Sequence, residues 1–222
     1  MGEPTIYKPS IYKGNGIYNN GAGGGGGGGS NIIGGREYHT ILMPDGNEWT
    51  IENLDFKFCL IGGSGSPTTP HAWYYANNES DYGLEGTYKC GLLYNWYAIK
   101  LLNDYKNELI PGWHVPSVNE WLALNTACGS NGAKKMKAKD GAVISGFPSG
   151  WNGDDLYGFF ALPTGYYFSG FNNFGLNCGF WTAEESGSDG RYTLFDYRDS
   201  PSIGTNDNKQ IAFSVRLVKN TN

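Results

Sequence analysis

Charge is scarce in this chain of 222 residues. Charged side chains make up 17 % of it, and 16 basic against 21 acidic residues leave a net of −5. No basic stripe results, which argues against nucleic acid as a partner. The one lysine group, Lys134, Lys135, Lys137 and Lys139, reads as a solvated helix face. Histidine is scarcer: His39, His71 and His114 lie far apart with no HxxxH or HExxH spacing, which argues against a zinc hydrolase. The four cysteines, Cys59, Cys90, Cys128 and Cys178, show no CxxC. They allow three pairings if oxidised, and read as free, mostly buried thiols ahead of a disulfide framework or a zinc site. No apolar run is long enough to cross a bilayer, so no membrane insertion is expected. The opening MGEPTIYKPSIYKGNG has no apolar h-region, and Ile6 stands where myristoylation needs a small hydroxyl residue. There is no GxSxG, and Ser64 in GGSGS is a flexible-loop serine. The glycine tract lacks the GxxxxGK[ST] ending of a phosphate loop. These absences leave no catalytic residue, metal or cofactor to expect.

Glycine and aromatic rings are abundant: 35 Gly, 16 Tyr, 11 Phe and 7 Trp. Gly21 to Ser30 reads GAGGGGGGGS, and seven consecutive glycines neither build a core nor hold a helix. The tract divides the chain into a segment 1–20, a linker 21–30 and a domain 31–222 long enough for a real core. The first segment repeats Ile-Tyr three times, at Ile6-Tyr7, Ile11-Tyr12 and Ile17-Tyr18, punctuated by Gly and Pro. These pairs read as aromatic anchors that dock on another subunit, the alternative being a disordered tail.

Within the domain, Tyr38, Thr40 and Leu42 alternate, then Trp49 and Ile51, about the turn Pro44-Asp45-Gly46-Asn47, which predicts a hairpin. The run from Leu92 to Leu102 predicts one helix. Ser117 with Glu120 forms a capping box for a second, with Trp121, Leu122 and Leu124 facing inward and Gly129 as the stop. Short strands follow at Phe159–Leu162, Tyr166–Phe168, Gly179–Thr182 and Tyr192–Asp196. A long final run from Gln210 to Val218 alternates to give one buried face. The fold class expected is therefore α+β, with the terminal strands near one another.

Seven blocks in order carry a resemblance: IENL from Ile51, GLLYNWYA from Gly91, GWHVPSVNEW from Gly112, GW at Gly150, GFFALPTGY from Gly158, FWTAEES from Phe180 and FSVRLVK from Phe213. Together they resemble the Fibrobacter succinogenes major paralogous domain, over roughly Ile33 to Lys219. The departures, Thr182-Ala183 for a Ser pair and no Cys before Val215-Arg216, touch packing. The resemblance implies a C-type-lectin-like domain with two helices and several short antiparallel strands, found on surface or secreted proteins without an established catalytic role. Trp96, Trp113, Trp121, Trp151 and Trp181 then read as core, and His114 as a structural residue satisfied by backbone.

The domain type also looks like the modules at phage fibre tips, which display Tyr, Asn and Asp from a C-terminal stretch. Here that stretch offers Tyr166, Tyr167, Phe171, Asn172, Asn173, Asn177, Tyr192, Asp196, Tyr197, Arg198 and Asn206 as ligand-binding candidates. Rings on glycine-rich loops supply stacking area, and Asn and Asp supply adaptable hydrogen bonds. The calcium triplets of such lectins are missing, Trp151-Asn152-Gly153-Asp154 being a near miss. The carboxylate pairs Asp154-Asp155 and Glu184-Glu185 would need further converging oxygens to hold Ca²⁺. The active cysteines of the related formylglycine-generating enzymes have no counterpart. The expectation is a non-catalytic virion protein (fibre, tail or capsid decoration). It would assemble as a homo-oligomer such as a trimer, contact other virion proteins through residues 1–20, and bind host-surface glycan or protein. A bacterial cell-surface adhesin is the alternative, and an enzyme of the formylglycine-generating type stands third.

Overall fold

A computed structural model describes residues 29–63, 68–74, 90–139 and 151–221. The expected anchors Ile6, Tyr7, Ile11, Tyr12, Ile17 and Tyr18 lie outside the described residues, as does Ser64. The first strand, β1 (Gly29–Ile33), starts inside the glycine tract and pairs antiparallel with β2 (Arg36–Leu42). The Pro44–Asn47 turn follows, returning the chain as β3 (Glu48–Thr50). Asp45 fixes that turn, its carboxylate accepting from the Asn47 backbone and from Trp49 Nε1 at 3.1 Å.

Next come β4 (Leu60–Ile61), β5 (His71–Tyr74) and β6 (Leu92–Asn95). The helices are α1 (Trp96–Asp104), α2 (Lys106–Leu109), α3 (Val118–Cys128) and α4 (Gly132–Met136). The remainder is β7 (Tyr166–Tyr167), β8 (Phe171–Asn172), β9 (Cys178–Ser186), β10 (Asp189–Phe195), β11 (Ser202–Asn208), β12 (Ala212–Phe213) and β13 (Val218–Lys219). Among the described residues three sheets result, ordered β1-β2-β3-β13, β11-β10-β9 and β4-β5-β6-β12-β7-β8, antiparallel except for the β4–β5 pair.

The domain is mixed α+β, and the expectation of a C-type-lectin-like arrangement with two helices is corrected to four among the described residues. Besides α1 and α3, of 9 and 11 residues, α2 and α4 add single turns of 4 and 5. Turns that short present no repeat of apolar positions, so no periodicity announces them. Burial of Ala133 and Met136 against α3 and its neighbours is what holds α4 in place.

Where the sequence predicts one helix from Leu92, the chain forms β6 first and turns helical only at Trp96. Asn95 makes the switch: its Oδ1 accepts from the Ala98 N–H at 3.0 Å and from the His71 N–H at 3.0 Å, capping α1 while tying it to β5. Leu92 to Asn95 are buried on both faces, and such a run has no period to tell strand from helix. The α3 capping box forms as predicted, with Ser117 N–H donating to Glu120 Oε2 at 2.7 Å. Trp121, Leu124 and Cys128 face inward, whereas Leu122 is 45 % exposed.

The final run departs most from its prediction: Ile211 to Val218 is buried on both faces. It threads all three sheets. Ala212 and Phe213 pair with Asn95 and Tyr94, Ser214 bridges to Phe180, and Val218 and Lys219 pair with Trp49 and Glu48. Each two-residue step has a new neighbour, so no face is left for water. The segment Phe159–Leu162 likewise forms a single bridge, at Ala161, and no strand. The five tryptophans expected in the core are all buried. Trp121 stacks on Phe180 at 5.4 Å and meets Trp49 at 4.9 Å. The four cysteines are free and buried. Burial pushes Cys59 and Cys178 up strongly, Cys90 to about 12 and Cys128 to about 11, so none is a ready nucleophile.

Candidate functional site

β9 and β10 form a long hairpin in which Cys178 pairs with Phe195 at the open end. The chain enters β9 from the loop 173–177 and leaves β10 into the loop 196–201, so both loops emerge at that end. The first follows the β7–β8 hairpin, which is held by Tyr166 pairing with Asn172 and Tyr167 with Phe171. Ser169 and Gly170 turn it, Ser169 in the left-handed region at φ 55°, leaving Phe168 44 % exposed. Asn173, at φ 56°, starts the next turn, its carbonyl accepting from the Leu176 N–H at 3.0 Å. Leu176 is then 53 % exposed, and the Asn177 carbonyl accepts from the Gly165 N–H at 2.7 Å.

In the second loop, Asp196 and Arg198 form a fork, Arg198 Nε at 2.9 Å and Nη2 at 2.6 Å from the carboxylate. Burial pushes Asp196 upward, but the bonds from the Arg198 side chain and backbone outweigh it and hold the carboxyl below its usual range. Tyr197, between the forked residues, is 70 % exposed.

A third segment lies beneath. Asn152 Nδ2 donates to Asp199 Oδ1 at 2.9 Å, and the Lys134 N–H donates to the Asp199 carbonyl at 3.2 Å. Gly153 packs against the backbone of Lys137 and Ala138, where any Cβ would overlap the Ala138 carbonyl oxygen. Lys137 is fully buried, correcting the expectation of a solvated lysine face at that position. Its Nζ donates to Asn152 Oδ1, to the Asp196 carbonyl at 2.7 Å and to the Arg198 carbonyl at 3.0 Å.

The candidate residues therefore divide. Asn173, Asn177, Asp196, Tyr197 and Arg198 gather at the open end of the β9–β10 hairpin. Tyr167, Phe171 and Asn172 sit on the adjoining hairpin, where the Tyr167 ring stacks on Trp73 at 4.4 Å and meets Phe171 at 5.0 Å. Three others do not join them. Tyr166 turns inward onto Phe213 at 6.0 Å, and Tyr192 is a core residue, 8 % exposed and stacked on Phe213 at 4.5 Å. Asn206 pairs with Arg191 toward the opposite end of β10. Strand alternation sends Tyr166 and Tyr167 to opposite faces, which composition alone does not reveal. Phe168, Leu176 and Lys137 were missed. The Ser169-Gly170 turn signal beside Phe168 pointed to the first, but a buried lysine has no signature in sequence.

Elsewhere, His114 Nε2 meets Glu120 Oε1 at 2.7 Å, so a carboxylate and not backbone satisfies this imidazole. Burial pushes Glu120 up, yet the bonds from His114 and Ser117 bring its carboxyl below the usual value. Ser117 Oγ donates to Glu120 Oε2 at 2.8 Å, the same carboxylate that caps α3. Among the described residues no group of three His, Cys, Asp or Glu side chains converges to hold a metal ion.

The Fibrobacter succinogenes major domain model matches residues 45–219. The chain belongs to that family. The match to this domain begins in the β2–β3 turn, ahead of the first sequence block at Ile51 and later than the expected start near Ile33, and ends with β13. β1 and β2 therefore precede the matched residues and still complete its four-stranded sheet. No curated protein and no solved structure matches the chain. No helix among the described residues is long and apolar enough to cross a membrane.

In this domain Asp155 supplies a pH dependence. Burial lifts its carboxyl from 3.8 to about 6, against the Phe160 N–H that donates to it at 2.9 Å. A raised folded-state value means that its favourable contribution is complete below the unfolded value and disappears as pH rises through about 6. Asp155→Asn, which keeps the oxygen that Phe160 needs, is expected to stabilise the domain by about 1–2 kcal/mol at pH 8. It should have little effect at pH 3, as read from urea midpoints at the two pH values.

Proposed function

We propose that this chain is a non-catalytic structural protein of a phage virion, whose head uses the 173–177 and 196–199 loops to bind glycan or protein on a host surface. The observation that carries this reading is that Leu176 and Tyr197, 53 and 70 % exposed, stand on two loops that emerge at the same end of the β9–β10 hairpin. Exposed rings and amides on pre-ordered loops bind at low entropic cost. The virion setting draws on the order of segments: an Ile-Tyr repeat, a glycine spacer and then the folded head. In a homo-oligomer, a trimer for example, residues 1–20 would contact other virion proteins and the heads would add avidity.

Two measurements test it. Immunogold microscopy with antibody to the head should label phage particles, while label on bacterial envelopes instead selects the adhesin reading. The full chain should bind a printed array of bacterial surface glycans or intact host cells, and Leu176→Ala with Tyr197→Ala should weaken that binding at least about tenfold, the two side chains acting as exposed anchors. Undiminished binding by the double variant overturns the assignment of the surface.

A further inference from the structure

We infer that Lys137 is the positioning residue of the 196–199 loop, its ammonium acting as a fixed internal cation that gathers oxygens from two separate loops. The lysine closes α4, with its residue fully buried and its Nζ 5.2 Å from the centre of the Trp151 ring. The oxygens it collects come from Asn152 in one loop and from the Asp196 and Arg198 carbonyls in the other. A hard metal cation organises loops in the same manner, by drawing carbonyl and amide oxygens around a point charge. Here the charge is covalently attached and needs no ion from solution.

The energetics make the tether strong. An ammonium taken from water is costly unless its hydrogen bonds are replaced, so the loop cannot swing away without leaving a buried charge short of partners. The loop and the lysine therefore hold each other. Both residues flanking Tyr197 are fixed twice, by carbonyls on Nζ and by the Asp196–Arg198 fork on the outer side. Tyr197 is left as the part that projects. This arrangement holds whether or not Tyr197 meets a ligand, so it stands apart from the proposed function.

Lys137→Met keeps the aliphatic stem over Trp151 and removes the charge. In the full chain it should raise hydrogen exchange at the Arg198 and Lys134 amides, whose acceptors are the Asp196 carboxylate and the Asp199 carbonyl, at least about tenfold, leave the β9–β10 amides protected, and speed tryptic cleavage after Arg198. Lys137→Arg should not rescue the loop, because a planar fork does not reproduce a compact three-donor ammonium. Asn152→Gly suits the φ of 51° there and removes one Nζ oxygen, and with it the Nδ2 bond to Asp199. It should raise exchange at the same amides several-fold and by more than Asp199→Ala, which loses that Nδ2 bond alone. If Lys137→Met loses protection throughout, Asn152→Gly decides: a rise confined to those amides and larger than that of Asp199→Ala supports the inference, and one no larger overturns it. Wild-type exchange there in Asn152→Gly, or in a folded Lys137→Met, overturns it.

Discussion

Arg216→Met is expected to leave the domain unfolded, or with a urea midpoint so low that no native baseline is seen. The guanidinium is fully buried and donates to four acceptors drawn from distant parts of the chain. Nε reaches Asn53 Oδ1 at 2.7 Å, Nη1 reaches the Thr50 and Phe159 carbonyls at 2.8 and 2.9 Å, and Nη2 reaches the Phe160 carbonyl at 3.0 Å. The group lies 4.7 Å from the Phe159 ring centre and 5.5 Å from that of Phe180. A buried acceptor stripped of its donor costs about 1–3 kcal/mol. Four such losses approach the roughly 5–15 kcal/mol that holds a domain of ordinary stability together. Methionine fills the volume and answers none of the acceptors. Arg216→Lys should fall between, since one ammonium cannot span acceptors spaced for a planar fork. Circular dichroism against urea for the three proteins reads the order directly, and a near-native midpoint for the Met variant would refute the role.

In sequence, Arg216 looks like the polar position of an alternating strand, and that is why its role is not legible there. Alternation predicts one wet face only when a strand keeps the same neighbours along its length. The final run changes sheets, so Ser214 and Arg216 enter the core along with Phe213, Val215 and Leu217. What the sequence discloses is local chemistry. Ser117 and Glu120 cap α3, Pro44 to Asn47 turn the first hairpin, and the tryptophans mark the core because few surfaces accommodate such rings. The seven sequence blocks also disclose the family.

What it conceals depends on partners far along the chain. Asn95 splits an apolar run into strand and helix through a bond to His71, and Lys137 is buried because residues 152, 196 and 198 close over it. The candidate surface is half legible for the same reason. Tyr and Asn enrichment marks loops that carry exposed side chains, but pairing decides that Tyr192 stacks on Phe213 in the core while Tyr197 stands in water.

Gly165→Ala carries the second large effect, and Gly187→Ala is its control. Both glycines lie in the left-handed region, at φ 64° and 61°. Alanine at either site incurs the backbone cost of that region, about 1–2 kcal/mol. At Gly187 a Cβ meets nothing within 4 Å, so the backbone cost is all that is expected. At Gly165 the same Cβ overlaps the Asn172 carbonyl oxygen and lies 2.8 Å from the Phe174 nitrogen and 2.9 Å from the Asn173 carbonyl carbon. These are backbone atoms of the β8 strand and the loop after it, so relief requires moving the main chain and not a side-chain rotation. The Gly165 N–H bond to the Asn177 carbonyl would be displaced with it. Gly165→Ala should therefore lose at least about 3 kcal/mol, in the range of an overpacked core, while Gly187→Ala loses no more than its backbone share. Equal urea midpoints for the two would mean that the 173–177 loop is not packed on Gly165. If Gly165→Ala folds at low temperature, its glycan-array or cell binding should be weakened even there, because the displaced backbone carries Asn173, Leu176 and Asn177. Retained binding in such a displaced loop would move the binding surface to the 196–199 loop alone.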